Sequence, residues 1–164
     1  MKVLDLAAAK QKAYRLLSLR SHSEKELEKK LREKGFPAVV IKETLEKLHD
    51  LKYLNDASFA VSLARNLAVN KLWGNKKIAL NLREKGIATD LIDLSMEQAR
   101  QELPEEEAIE ALIKKKAAKK KLTAFDVKEK QRIFQSLMGR GFPPGLILNK
   151  LGKKAEEEFN GENG

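Results

Sequence analysis

A five-residue stretch, Leu-Arg-Glu-Lys-Gly, occurs twice in this chain, and the repeat limits the folds that the chain can adopt. It spans residues 31–35 and returns at residues 82–86, an offset of 51 positions. Apolar residues on both sides coincide at the same offset, as a repeated core requires. The coinciding pairs are Ala13 and Ala64, Leu16 and Leu67, Leu27 and Ile78, Phe36 and Ile87, Ile41 and Ile92, and Leu45 and Met96. The sequence therefore predicts two copies of one structural unit.

A third, weaker copy lies 106 positions after the first. The residues that carry it are Ile133, Leu137, Gly141, Phe142, Ile147 and Leu151. Its first helix does not align at this offset, and we expect that helix to precede a longer connection through residues 122–126. The predicted domains are residues 1–57 with an N-terminal extension, 58–107 and 108–155, followed by an acidic tail, 156–164, which is expected to be disordered.

Each copy is predicted to be a three-helix unit that resembles a helix-turn-helix. In the first copy, Ser23 caps the second helix and Glu26 completes a capping box. Gly35 ends that helix in the left-handed conformation, and Pro37 opens the third helix. In the second copy, Asp56 is expected to cap a long first helix. Three such units in a row predict an all-α, elongated and curved molecule.

Charge is distributed unevenly along the chain. The net charge is +9, and residues 108–155 hold 13 Lys and Arg against 3 Asp and Glu. A basic balance points to a polyanionic partner, nucleic acid or a nucleoprotein, although lysine-rich faces also serve solubility alone. The chain has no cysteine, which excludes disulfides and thiolate metal sites and fits the cytoplasm. No apolar run approaches the ~20 residues that cross a bilayer.

No catalytic, cofactor or metal site is predicted. His22 and His49 lack a second histidine or a carboxylate at metal-ligand spacing. Trp73-Gly74-Asn75-Lys76-Lys77 holds one glycine and follows no strand, so it does not form a phosphate-binding loop. No serine or carboxylate pair marks a nucleophile or an acid and base. We therefore expect a binding protein that is not an enzyme.

The densest basic segment is a lysine cluster at residues 114–121. Ile109, Leu112 and Ile113 form the apolar stripe of the helix before it, and lysines continue that stripe. The helix is therefore buried at its start and then either protrudes or ends. A protruding helix covered with lysines could follow a phosphate backbone. Equally, the cations could complement the dipole of a solvated helix end.

Two other basic groups are candidates for partner binding. Lys76 and Lys77 lie beside Trp73 at a predicted helix start, where backbone amides attract anions; the tryptophan is expected to be a core residue. Other basic residues recur beside the glycine turns, which indicates either repeated partner contacts or charges that complement helix dipoles. The full candidate set is Arg32, Lys34, Lys76, Lys77, Arg83, Lys85, Lys114, Lys115, Lys119, Lys120, Lys121 and Arg140.

Together these residues resemble the RecX family of regulatory proteins. Its first-repeat signature is matched by Ala13-Tyr14-Arg15-Leu16-Leu17, Arg20, Ser23, Glu26-Leu27, Lys30-Leu31 and Lys34-Gly35-Phe36. The more specific second-repeat signature is matched by Tyr53-Leu54-Asn55-Asp56, Phe59-Ala60, Arg65, Gly74, Ile78, Leu82 and Lys85-Gly86-Ile87. The closing motif is matched by Arg140-Gly141-Phe142 with Ile147. The resemblance extends from about Ala13 to Leu151; Leu137-Met138-Gly139 and the lysine cluster depart from the family pattern.

The resemblance implies three tandem three-helix repeats and a regulator of the RecA recombinase in DNA repair, recombination and the SOS response. It further implies that family members mostly inhibit the recombinase, ATPase and coprotease activities of RecA, lying in the groove of the RecA–DNA filament and either blocking strand exchange or promoting filament loss. The implied partners are RecA, the RecA nucleoprotein filament and single- or double-stranded DNA. The implied protein is a cytoplasmic monomer that needs no membrane and no cofactor.

Two alternatives remain open from the residues themselves. One is a DNA-binding helical repeat protein that acts without RecA, and the other is a scaffold that binds only protein. A base-reading helix should begin with exposed polar side chains. The three candidate helices begin instead with Pro37-Ala38-Val39, Ala88-Thr89-Asp90 and Pro143-Pro144-Gly145, which disfavours base readout.

Overall fold

The computed structural model describes residues 4–121 and 124–152, and these residues form helices with short connections and no strand. This confirms the predicted all-α class. The helices are α1 (Leu6–Leu19), α2 (Glu24–Glu33), α3 (Ala38–Asp50), α4 (Asp56–Arg65), α5 (Asn75–Glu84), α6 (Thr89–Glu102), α7 (Glu105–Lys120), α8 (Val127–Gly139) and α9, described over residues 144–152. A π-helical turn, Asn66–Asn70, continues α4. The acidic tail at 156–164 lies outside the described residues.

Three separate clusters of buried side chains make up the core, one for each group of three helices. The first unit is α1 to α3, the second α4 to α6, and the third α7 to α9. The coinciding apolar positions are buried in both of the first two units, except that Leu16 is only half-buried where Leu67 is buried. In the third unit Ile133, Leu137, Phe142, Ile147 and Leu151 are buried. The repeat read from the sequence is therefore a repeat of cores.

Small side chains let the first and third helices of a unit approach closely. In the first unit, Ala9 and Ala13 are fully buried, and the buried Thr44 hydroxyl donates to the Val40 carbonyl at 2.7 Å. In the second unit, Ser95 occupies the equivalent position and donates to the Leu91 carbonyl at 2.6 Å. Because each hydroxyl is satisfied within its own helix, burial leaves no unpaired donor.

Helix ends follow the predicted signals with one correction. Ser23 and Glu26 form the capping box at the start of α2, and Gly35, Gly86 and Gly141 have φ values of 92, 80 and 93°. The prediction that Asp56 caps α4 is wrong, because Asn55 accepts the capping hydrogen bond from the Ser58 amide at 3.0 Å. The Asp56 carboxylate is instead bonded to another unit.

The third unit begins with the helix that could not be aligned from the sequence. α7 ends at Lys120 and α8 begins at Val127, so the predicted connection lies between them. Residues 122 and 123 of that connection lie outside the described part. α4 begins at Asp56 and α7 at Glu105, close to the predicted domain boundaries at 57 and 107, which stay predictions.

Candidate functional site

The first and second units meet where the start of α2 lies against the end of α5. The Ser23 hydroxyl donates to the Lys85 carbonyl at 2.6 Å, and the Glu24 amide donates to the Asp56 carboxylate at 2.9 Å. The Lys85 ammonium lies 3.4 Å from the Glu26 carboxylate. This first junction therefore joins two apolar cores through polar groups.

Glu26 is the charged centre of the first junction. Its side chain is only 14% exposed, and it accepts from Arg20 at 2.9 Å and from the Ser23 amide at 3.2 Å. Burial alone would raise the pKa of Glu26. Hydrogen bonds from Arg20 and Ser23, together with the charges of Lys85 and Arg20, outweigh burial and lower that pKa to about 2. The carboxylate is therefore ionised throughout the neutral range.

The second and third units meet at the start of α5 and the turn after α8. The Gly74 amide donates to the Arg140 carbonyl at 2.7 Å, and the Lys76 amide donates to the Gly141 carbonyl at 3.2 Å. A Cβ added at Gly74 would lie 2.3 Å from the Gly141 carbonyl carbon. Only glycine permits this approach, because any side chain would overlap backbone that cannot move aside.

The two junctions are built from equivalent positions of the repeat. Gly74 lies 51 positions after Ser23, and each is bonded to the carbonyl of the residue before a turn glycine. The next residue, Glu24 or Asn75, donates its amide to a carboxylate at the start of the following unit. Those carboxylates are Asp56 at 2.9 Å and Glu105 at 3.1 Å. Corresponding positions therefore form both junctions, through the Ser23 hydroxyl in the first and the Gly74 amide in the second.

Arg100 lies beside the second junction and orders its second-unit side, and the sequence analysis did not single it out. Its half-buried guanidinium donates to the Asn75 side chain at 2.6 Å and to the carbonyls of Trp73 at 2.8 Å and Leu103 at 3.1 Å. Burial lowers the pKa of Arg100, and the charge of Glu105 opposes this. At the offset of 51, Arg100 coincides with His49, which lies 3.3 Å from Glu24, but neither residue type signals this role in the sequence.

The basic residues beside the glycine turns fall into two groups. Lys85 and Arg140 serve the junctions, since the Arg140 guanidinium also donates to the Lys71 carbonyl at 2.8 Å. Arg32, Lys34 and Arg83 are exposed, and Arg32 pairs with Glu28 one helical turn away. At the turns of Gly86 and Gly141, the basic residue before the glycine therefore helps to join two units.

Lys76 and Lys77 lie at the start of α5, as predicted, but the first two backbone amides of that helix are already bonded. The Asn75 and Lys76 amides donate to Glu105 and to the Gly141 carbonyl. The Lys77 ammonium lies 4.0 Å from the centre of the Trp73 ring, a cation–π contact. Trp73 packs against the second core. An anion would therefore meet the exposed Lys76 side chain rather than free amides.

The lysine cluster lies on the second half of α7. Ile109, Leu112 and Ile113 are buried, as the apolar stripe predicts. The helix continues through the lysines to Lys120, and Lys121 ends it with a φ of 54°. The exposed members of the candidate set here are Lys114, Lys115, Lys119, Lys120 and Lys121.

Two lysines of the cluster have internal partners. The half-buried Lys116 ammonium lies 3.1 Å from the Ser136 hydroxyl, and the Lys120 ammonium lies 4.0 Å from Glu129. Burial lowers the pKa of Lys116, and the charges of Arg140, Lys120 and Lys119 lower it further. Lys114, Lys115, Lys119 and Lys121 present their charges to solvent, which favours an anionic partner at this surface.

Neither a metal centre nor a membrane span is found in residues 4–121 and 124–152. These residues contain no group of three or more histidine, cysteine or acidic side chains placed to hold an ion. None of their helices combines the length and the apolar character that a membrane crossing requires.

Models of a known family match all three units. The model described as RecX, first three-helix domain, matches residues 9–48, the second-domain model matches 55–96, and the third-domain model matches 104–151. The chain belongs to the RecX family. The family resemblance noted in the sequence is thereby confirmed.

Relatives named regulatory protein RecX extend the similarity over most of the chain. The protein from Pelodictyon phaeoclathratiforme is 35% identical over 130 residues, which are 79% of this chain and 78% of that protein. The protein from Geobacillus kaustophilus is 32% identical over 157 residues, 94% of this chain and 58% of that protein. The match to Vibrio cholerae (strain M66-2) is 47% identical over 81 residues, 49% of this chain. It spans about half of that relative, 53% of its length.

Solved RecX structures share the fold. The crystal structure of RecX from Lactobacillus salivarius has a TM-score of 0.77 and 27% identity, covering 92% of this chain and 97% of that chain. A second RecX crystal structure has a TM-score of 0.75 and 25% identity, covering 90% of this chain and 71% of that chain. The curated relatives above are named regulatory proteins.

Proposed function

We propose that this chain regulates RecA by binding RecA or the RecA–DNA filament and inhibits its recombinase, ATPase and coprotease activities. The chain acts as a binding protein with no catalytic step of its own, as a monomer in the cytoplasm. The observation that carries this proposal is the pair of equivalent junctions in a member of the RecX family.

Equivalent junctions suit a periodic partner. Because Ser23 and Gly74, at corresponding positions, each contact the residue before a turn glycine of the following unit, successive units would present corresponding surfaces. A helical filament offers binding sites at a regular interval. A chain that bridges neighbouring RecA subunits would resist the rearrangements on which filament activity depends, and its inhibition would be steric.

The lysine cluster supplies the electrostatic part of the proposal. Lys114, Lys115 and Lys119 are exposed on α7, and Lys121 is exposed at its end, in the third unit, the most basic segment of the chain. Exposed ammonium groups bind DNA phosphates or an acidic RecA surface and increase the rate of encounter with either.

The test is RecA-catalysed ATP hydrolysis on single-stranded DNA. Adding the protein at substoichiometric amounts should reduce hydrolysis and strand exchange. A variant with Lys114, Lys115, Lys119 and Lys121 changed to Gln should need a higher concentration for the same reduction. The control changes the same number of exposed lysines elsewhere, at Lys29, Lys42, Lys47 and Lys71. Full RecA activity at excess protein would refute the proposal.

A DNA-binding protein that acts without RecA is the second candidate. The helices that would read bases, α3 and α6, present Val39 (70% exposed) and the acidic Asp90 near their starts. An acidic side chain is repelled by phosphates, and neither valine nor aspartate supplies the paired hydrogen bonds that read guanine or adenine. A scaffold that binds only protein is the third candidate, and salt dependence separates it from the others, because phosphate binding weakens steeply with salt.

A further inference from the structure

A groove of about 550 Å³ runs between the first and second units, outside the lysine cluster. Its floor is one face of α4, and its walls come from the end of α1, the connection before α4 and the end of α5. A cavity of this size falls in the range of ligand sites. The lining residues are Leu17, Arg20, Ser21, His22, Lys52, Tyr53, Asn55, Ser58, Phe59, Ser62, Leu63, Asn66 and Lys85.

The charged side chains that line the groove are all basic. Arg20, Lys52 and Lys85 line it, and its lining residues include no carboxylate. Glu26 does not line the groove, but its carboxylate pairs with Arg20 and Lys85 and offsets part of their charge, so Lys52 is the cation most available to a ligand. Lys52 is exposed and sits in a turn with a φ of 61°. The groove therefore favours an anionic ligand.

Aromatic rings stand beside these cations. Tyr53 is 58% exposed, and the Tyr14 ring meets it edge to face at 5.5 Å between centroids. This contact holds Tyr53 in place while more than half of its surface stays accessible. Phe59 is half-buried further along the groove. Exposed rings beside cations are the usual platform for unpaired bases.

Short polar side chains follow the same face of α4. Asn55, Ser58, Ser62 and Asn66 recur at helical spacing, so that their amides and hydroxyls lie along the groove. Such groups donate to and accept from base edges and sugar–phosphate oxygens. An acidic peptide would use the cations but has no equivalent need for the rings and this row of amides and hydroxyls.

We propose that this groove binds single-stranded nucleic acid, with a base stacked on Tyr53 and a phosphate held by Lys52. The choice of DNA over RNA rests on the proposed function, because RecA works on DNA. The binding itself needs only this chain and is measured without RecA.

The experiment titrates the full chain against fluorescein-labelled oligo(dT) by fluorescence anisotropy. Tyr53→Ala should weaken binding at least about fivefold, as expected for loss of one stacked base, and Tyr53→Trp should restore it. Lys52→Gln should lower the salt slope of the binding constant by about 0.7, as for one phosphate contact to a single strand. Lys29→Gln, an exposed lysine outside the groove, should change neither quantity.

Three results would overturn the inference: binding by Tyr53→Ala equal to that of the original chain, an equal loss by Tyr53→Ala in the binding of a duplex, or displacement of the oligonucleotide by polyglutamate at equal charge. Binding of oligo(rU) in preference to oligo(dT) would overturn the choice of DNA. Parallel RecA ATPase assays keep the two proposals distinct. Inhibition of RecA without oligonucleotide binding removes only the groove site, and Tyr53-dependent binding without inhibition removes only the RecA proposal.

Discussion

The Ser23 hydroxyl lies 2.6 Å from the carbonyl oxygen of Lys85, which follows it by 62 positions in the chain. The same hydroxyl accepts a hydrogen bond from the Glu26 amide at 3.2 Å and so caps α2. One buried oxygen atom therefore caps the start of a helix and also joins two units. Its dual role makes the stability of α2 and the docking of the second unit interdependent.

Replacing Ser23 with alanine should destabilise the chain by about 2 kcal/mol, roughly 1 from the lost cap and 1 from the buried carbonyl left unpaired. Asp126→Ala is the matched control, because Asp126 caps α8 through the Glu129 amide at 2.7 Å and is exposed. It should cost only about 1 kcal/mol. Urea unfolding of both variants measures the difference, and equal losses would contradict the dual role of Ser23.

Replacing Gly74 with alanine should destabilise the second junction by about 3 kcal/mol, because the added methyl overlaps backbone of the third unit. Gly139→Ala is a contrasting change, since a Cβ there meets nothing within 4 Å. Gly139 is the last residue of α8, and alanine should stabilise the helix by up to about 1 kcal/mol. Thermal unfolding should shift in opposite directions. A shift in the same direction would contradict the close packing at Gly74.

The cores and helix ends could be predicted from the sequence because they depend on local signals. The offset of 51 aligned buried positions such as Leu27 and Ile78, and Gly35 correctly predicted a helix end in the left-handed conformation. Spacing of apolar residues reflects which side chains leave water, and this information is present in a single chain.

The junctions could not be predicted in the same way. Ser23 and Lys85 are bonded through a backbone carbonyl, which leaves no mark on the identity of residue 85. Lysine and arginine beside the turn glycines suggested partner contacts or helix dipoles, whereas Lys85 and Arg140 also hold units together. A groove between units, like that beside Tyr53, is formed only when the units dock, so the sequence pattern did not predict it either.

Replacing Arg100 with lysine should cost about 2–3 kcal/mol although the charge is kept. The guanidinium donates to Asn75, Trp73 and Leu103 at once, and a single ammonium cannot reproduce this planar set. Arg83→Lys, at an exposed position on α5, should change stability by less than about 0.5 kcal/mol. Chemical denaturation of the two variants measures the free energy of unfolding. An Arg100→Lys variant as stable as the original chain would show that the positive charge alone suffices.

Acid should weaken the first junction through Glu26. The pKa of Glu26 is about 2 in the folded chain and 4.5 when unperturbed, so the unfolded state binds more protons between these values. The stabilisation is therefore present in full above about pH 4.5 and is lost as the pH falls to about 2. Glu26→Gln should lower the unfolding free energy by roughly 2 kcal/mol at pH 7, and the difference from the original chain should shrink towards pH 2.

Glu33→Gln controls for a general change in net charge, because Glu33 is exposed on the same helix. Its unfolding curves should run parallel to those of the original chain from pH 7 to pH 2. A difference between Glu26→Gln and the original chain that stays constant over this range would rule out an ionised Glu26 as the source of stabilisation.

The lysine cluster should determine how steeply partner binding depends on salt. Each lysine that contacts a phosphate of single-stranded DNA contributes about 0.7 to the slope of log binding constant against log salt. Changing Lys114, Lys115, Lys119 and Lys121 to Gln should therefore flatten the slope measured on RecA–DNA filaments. Changing Lys29, Lys42, Lys47 and Lys71 alters the net charge equally but should leave the slope nearly unchanged. Equal slopes for the two quadruple variants would mean that overall charge, rather than the α7 surface, drives the association.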